Sequence, residues 1–193
     1  MDQTVSASLP ASPKKAGVLV NLYEWVEVFA VSIAIVFVLF AFVGRVSVVS
    51  GDSMNNTLTN GDKLMVWQLG YRPTPGDIVV CQSEFFGFGE PLVKRVIAVG
   101  GQTISLDPGT WTVKVDGVAL DEPYVKRIAQ RSMAGWSYGE SYTVPEGYVF
   151  VMGDNRNNSW DSRDIRIGPI EEQYVIGKVI FRYAPLPSFG KVS

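Results

Sequence analysis

Val28-Phe-Ala-Val-Ser-Ile-Ala-Ile-Val-Phe-Val-Leu-Phe-Ala-Phe-Val43 runs without a charged residue. As a helix it reaches about 24 Å at 1.5 Å per residue, and a bilayer core is roughly 30 Å thick. Extension back through Val26 and Trp25 closes the difference and brings Tyr23 and Trp25 to headgroup depth, where aromatic residues concentrate. A buried helix of a soluble domain would show a polar stripe over about four turns, and none is present. A cleaved leader ends in a small-residue site, which Phe42-Val-Gly-Arg45 does not supply. The expectation is a retained anchor over 23–44. Lys14 and Lys15 precede it and only Arg45 closely follows, so the positive-inside rule places residues 1–22 in the cytoplasm. The remainder then lies outside the cell membrane, which the chain crosses once.

The rest of the 193-residue chain is long enough for one further domain with its own core. It holds no histidine, one cysteine and a net charge of −2. Without histidine, no Ser-His-Asp triad, Cys-His pair or histidine-bearing metal site can be assembled. One cysteine excludes an internal disulfide, and the charge offers no basic face for nucleic acid. Cys81 closes the apolar run Asp77-Ile-Val-Val-Cys81 and reads as a small buried hydrophobe. No cofactor or metal is expected. A carboxylate- or metal-dependent hydrolase would need clustered acids, and Asp121-Glu122 and Glu171-Glu172 read as solvated turns.

From Val46 the pattern is that of strands. Short Val- and Ile-rich runs alternate with Gly, Pro, Asp and Asn: 45–49, 63–67, 77–81, 91–99, 111–115, 148–152 and 174–183. Asp116-Gly117 is a strong hairpin signal. The stretch from Gly100 to Pro145 is more polar and irregular. The fold class is therefore mainly β, with an antiparallel β core over 45–185, a smaller β subdomain inserted at about 102–145, and one transmembrane helix in front. Residues 186–193, rich in Pro and Gly, read as a loose tail.

A serine nucleophile needs a sharp exposed turn and a base within reach. Ser50-Gly51-Asp52-Ser53-Met54 supplies the turn, although taken alone it also suits an ordinary surface loop. With no histidine, the base has to be lysine. Lys14 and Lys15 fall on the cytoplasmic side and Lys191 in the tail, while Lys63, Lys114, Lys126 and Lys178 have polar or turn surroundings. Lys94 differs. In Leu92-Val-Lys94-Arg-Val96 a strand places Leu92, Lys94 and Val96 on one face and Arg95 on the other. An apolar face lowers a lysine pKa by penalising the ammonium; a lysine guarding an edge strand against aggregation fits the same segment. The third element is Gly153-Asp-Asn-Arg-Asn-Asn-Ser159-Trp-Asp161-Ser-Arg163. Two-residue spacing puts Ser159, Asp161 and Arg163 on one extended face, where Asp161 and Arg163 can pair; a solvated loop of Asx-turns is the alternative.

SGDSM, LVKRVIAV and GDNRNNSWDSR, in that order behind an apolar anchor, resemble the signature boxes of bacterial type I signal peptidases. GDIVV at 76–80, PEGYVFVMGD and IGKVIFRYAP fit the same pattern, and the likeness covers roughly 20–185. The resemblance implies that Ser53 attacks the scissile carbonyl to form an acyl-enzyme and that Lys94, neutral and buried, is the general base. It implies that Ser159 hydrogen-bonds the Lys94 amine, that Asp161 and Arg163 brace the strand, and that the Ser53 N–H donates to the oxyanion. The substrates implied are exported preproteins cut after a small-X-small segment such as Ala-X-Ala, bound as an added strand at the bilayer and near the secretion translocon. Three positions depart from the family pattern. Asn56 stands where proline is usual, Gly100-Gly101-Gln102 replaces Pro-Gly-Asp, and Gly51 occupies a position where some members carry a serine that serves the oxyanion hole.

Two other readings compete. A membrane-tethered β domain that only binds peptides predicts that Ser53→Ala changes nothing. A self-cleaving Ser-Lys repressor would carry a DNA-binding helical module, which residues 1–44 lack. Phe85-Phe-Gly-Phe88 fits either an apolar tip entering the bilayer or a hairpin covering the core.

Overall fold

In the computed structural model, residues 14–82, 91–107, 109–126 and 135–192 are described; the side chains of 14–20 and 39–43 are not. Phe85 to Phe88 lies outside these residues. Residues up to Ala41 form one compact unit and those from Phe42 a second.

The first unit is formed by the helix α1, Lys14–Val43, up to its last two residues. It begins at Lys14 rather than at Tyr23, so the polar N-terminal segment expected to 22 is helical from Lys14 onward. Asn21–Val38 is apolar enough to cross a membrane, and each of its side chains is exposed. From Val28 to Val38 the single polar side chain, Ser32, returns its hydroxyl to the Val28 carbonyl at 2.7 Å. A helix apolar on all sides suits hydrocarbon rather than water. It fits a membrane anchor.

The second unit is mainly antiparallel β. Its strands are β1 (Gly44–Val48), β2 (Lys63–Trp67), β3 (Ile78–Cys81), β4 (Leu92–Val99), β5 (Thr103–Leu106), β6 (Val113–Val115), β7 (Val118–Ala119), β8 (Ser141–Thr143), β9 (Tyr148–Met152), β10 (Ile170–Glu171), β11 (Val175–Ala184) and β12 (Gly190–Lys191). Gly44 pairs with Trp67, so it belongs to β1 and not to the anchor. The larger sheet runs β1-β2-β11-β3-β4-β9-β10, with β12 also on β11; the smaller runs β7-β6-β5-β8. β6 and β7 are joined by Asp116 and Gly117, both at positive φ (52° and 80°), as a tight two-residue hairpin requires.

Alternation decides what each face buries. Val93 of β4 joins Leu64, Val66, Ile78, Val80 and Val179 in one core. On the opposite face Val96 packs with Val79, Cys81, Val149 and Val151. A third core carries Ile104, Leu106, Val113 and Val115 of the smaller sheet together with Ile97, Phe150 and Met152 of the larger. The two sheets therefore share apolar contacts.

Residues 186–193 are not a loose tail as far as Val192. A 3-10 turn at Leu186–Ser188 leads into β12, which pairs with β11. Phe189 stands edge-on to Phe181 with centroids 4.6 Å apart. Val192, 9% exposed, enters the core that holds Met54 and Leu58. Proline and glycine set the turn, and the apolar side chains between them supply the attachment.

Candidate active site

The nucleophile turn begins where β1 ends. Gly51 takes φ +82°, a conformation L side chains rarely adopt. Met54 and Leu58, fully buried, hold the far side of the turn in the core. Thr57 and Leu58 N–H groups both return to the Met54 carbonyl at 2.9 Å. Ser53 itself stays partly exposed.

Lys94 reaches this turn from the fourth strand. Its Nζ lies 2.7 Å from Ser53 Oγ and 3.1 Å from the Val93 carbonyl oxygen, and the residue is 3% exposed. The cross-strand partner of Lys94 is Val79, and Cys81 and Val96 share that apolar face. Burial pushes the Lys94 pKa below the ordinary lysine value and outweighs the attraction of Asp161. Burial that penalises the ammonium favours the neutral amine, which set against a serine hydroxyl is equipped to take its proton. Burial also pushes the Cys81 thiol up to about 12, so it is unreactive there.

Arg95 points to the other face. It forms a two-pronged pair with Asp154, Nε to Oδ1 at 2.9 Å and Nη2 to Oδ2 at 2.8 Å, and both residues are buried. The same carboxylate receives the Thr57 hydroxyl at 2.5 Å, which ties the nucleophile turn to β4. The Tyr124 ring covers the guanidinium at 3.8 Å.

Asp161 and Arg163 pair in the same two-pronged way, at 2.7 and 2.8 Å. Burial raises the Asp161 pKa, but Arg163, the Ser159 hydroxyl and the Gly153 N–H together hold it below the usual carboxylate value. The Ser159 hydroxyl donates to Asp161 Oδ2 at 2.6 Å. The direct Ser159–Lys94 hydrogen bond implied by the resemblance is absent among the described residues. A buried carboxylate is the stronger acceptor for that proton, and the Lys94 amine is occupied by Ser53 and Val93.

Ser53, Lys94, Ser159, Asp161 and Arg163 are thus brought to one region, the first two in contact and the others as a braced loop beside them. Gly153, Asp154, Asn155 and Arg95 also belong to it. The signal for Arg95 and Asp154 was charge in apolar surroundings: Arg95, inside a strand buried on both faces, demands a partner. Among the described residues no group of acids or cysteine could hold a metal ion.

An open groove of about 440 Å³ lies against β1, lined by Val46 to Ser50, Asn60, Gly61 and Pro91. β1 is the edge of its sheet, so one row of its backbone groups has no neighbouring strand among the described residues.

Residues 22–184 match the family model described as signal peptidase, peptidase S26. A probable signal peptidase I-1 of Synechocystis sp. is 35% identical, covering 88% of this chain and 86% of that protein. A signal peptidase IB of Staphylococcus aureus is 31% identical over 88% and 93%. A crystal structure of a signal peptidase I from Enterococcus faecalis V583 aligns at 28% identity with a TM-score of 0.46, over 56% of this chain and 97% of that one.

Proposed function

Since the chain belongs to the signal peptidase family, peptidase S26, and is a serine endopeptidase of the signal peptidase I type, we propose that it cuts exported preproteins after a small-X-small motif, with Ser53 as nucleophile and Lys94 as general base. The observation that carries this reading is the 2.7 Å contact between Lys94 Nζ and Ser53 Oγ at a lysine shielded from water.

The preprotein adds as a strand along the free edge of β1, over the groove. Neutral Lys94 takes the Ser53 proton as Oγ attacks the scissile carbonyl carbon, and the carbonyl oxygen becomes an oxyanion met by the Ser53 N–H. The Lys94 ammonium then gives its proton to the departing amine, leaving an acyl-enzyme. Lys94 next deprotonates a water that attacks the ester, and the proton returns to Ser53 Oγ as the leader is released. Ser159, Asp161 and Arg163 hold the neighbouring loop in place. The helix is read as a single span with a cytoplasmic N-terminus, the residues from 45 onward as extracytoplasmic, the stretch at about 102–145 as an inserted subdomain, and the translocon as a neighbour.

Purified full-length protein in detergent or liposomes, given a preprotein with an Ala-X-Ala site, is expected to release a mature chain starting directly after that motif. Ser53→Ala is expected to release none. Cleavage at unrelated sites, or undiminished cleavage by Ser53→Ala, would overturn the assignment.

A further inference from the structure

Asn155 reaches the nucleophile turn with two donors. Its backbone N–H meets the Ser53 carbonyl oxygen at 3.0 Å, and its side-chain Nδ2 meets the Asp52 carbonyl oxygen at 3.0 Å. It is buried, and its backbone is pinned from behind by a bridge to Lys126: the Lys126 N–H donates to Asp154 O at 2.9 Å and the Arg156 N–H to Lys126 O at 3.3 Å. The Asn155 amide therefore approaches the turn from a fixed platform.

Asp52 C=O and Ser53 N–H belong to one peptide unit, which is trans here, so they point in opposite directions. A donor that fixes the carbonyl fixes the direction of the N–H. Asn55 N–H also reaches Asp52 O, at 3.1 Å, but from within the same turn, so it moves with it. Among the described residues the Ser53 N–H makes no hydrogen bond of its own. Gly51, just before this peptide, would present an added Cβ to open space, and its own N–H is held by Asn60 Oδ1 at 3.0 Å, one peptide upstream of the 52–53 unit. Among the described residues, the donor from outside the turn that reaches the 52–53 peptide itself is the Asn155 side-chain amide.

We propose that Asn155 is a positioning residue that aims the Ser53 N–H at the oxyanion. The proposal rests on Ser53 being the nucleophile. It assigns to Asn155 an effect on the transition state rather than on substrate binding, because the oxyanion exists only after attack.

The test uses the full-length protein, a cleavable Ala-X-Ala peptide, an uncleavable analogue and a peptide aldehyde. The aldehyde adds to Ser53 Oγ and places its new oxygen where the oxyanion forms. Asn155→Ala is expected to lower kcat about 10- to 100-fold with KM nearly unchanged. Aldehyde affinity is expected to fall by the same factor as kcat/KM, while the uncleavable peptide binds as before and the acid limb of the pH profile, set by Lys94, stays in place. Asn155→Asp keeps the size and replaces the donor by an acceptor, so it is expected to lose at least as much. Wild-type kcat in either folded variant overturns the proposal. So does an equal loss for the aldehyde and the uncleavable peptide, a shifted pH profile, or unfolding of both variants, since a purely structural role produces each of these. Cleavage surviving in Ser53→Ala would instead sink the nucleophile assignment; an inactive Ser53→Ala beside a full-rate Asn155→Ala sinks the Asn155 proposal alone.

Discussion

Gly153 packs against Ser159 so tightly that a Cβ added to it would collide with the Ser159 hydroxyl and stand 2.6 Å from the Ser159 Cβ, with the Ser53 carbonyl oxygen equally in its way. The hydroxyl can rotate, but the Ser53 carbonyl is backbone and carries the nucleophile with it. Gly153→Ala is therefore expected to lower kcat/KM by about 10²-fold, the scale on which a displacement of about 1 Å acts. Activity near the wild-type level in a steady-state assay would show that the turn tolerates the shift.

Lys94 is destabilising where it is useful. Its folded pKa lies below the unfolded value, so the unfolded chain binds more protons between the two and stability rises with pH across that window. Lys94→Met removes this titration and fills the same apolar face beside Val79. It is expected to be inactive yet more stable at neutral pH and below, with the advantage shrinking as pH climbs toward the ordinary lysine range. A gain of about 1 kcal/mol would appear as roughly 2–4 °C in Tm. A Tm lower than wild type at pH 6 would contradict this.

The Arg95–Asp154 pair can be tested as a cycle. Either single change, Arg95→Met or Asp154→Leu, leaves a buried charge without its partner and is expected to cost about 3–5 kcal/mol. The double variant is expected to recover much of that loss by denaturant unfolding, since an apolar pair in the same volume is often tolerated. Purely additive losses would show that the two groups are not coupled.

Truncation after Pro185 removes the Val192 contact and one of the three acceptors of Arg182. That arginine donates to the Ser188 carbonyl at 2.5 Å, to Asp62 Oδ2 at 2.8 Å and to the Thr57 carbonyl at 3.4 Å. Burial raises the Asp62 pKa, but Thr59 and Arg182 together hold it below the usual carboxylate value. The truncated protein is expected to lose about 1.5–3 kcal/mol for the valine alone and to cleave more slowly, because the loop from Thr57 to Asp62 follows the nucleophile. Unchanged thermal unfolding would show the segment to be dispensable.

The strands and the apolar helix were legible because they depend on local pattern: alternation in Lys63–Trp67, an uncharged run in Val28–Val43, Asp-Gly at a hairpin. The pairing order was not legible. Nothing local in Val175–Ala184 says that this late strand lies between β2 and β3. The C-terminal attachment was missed for the same reason, since Val192 gains its value only from the distant core it enters. In the site, two-residue spacing in an apolar strand pointed to Lys94, and composition excluded histidine. Asn155 was invisible because its partners are backbone carbonyls at 52 and 53, which every residue possesses. The direction of the Ser159 hydroxyl could not be read from spacing either, because it is decided by competition between acceptors.

The most direct test of the account is preprotein cleavage by Lys94→Ala and Lys94→Arg beside wild type, from pH 5 to pH 10. A neutral amine as base predicts no turnover in either variant at any pH, since alanine has no base and arginine stays charged. It predicts a wild-type rate that rises from acid pH as Lys94 loses its proton, well below the ordinary lysine range. Turnover retained by Lys94→Ala at pH 7 would contradict it.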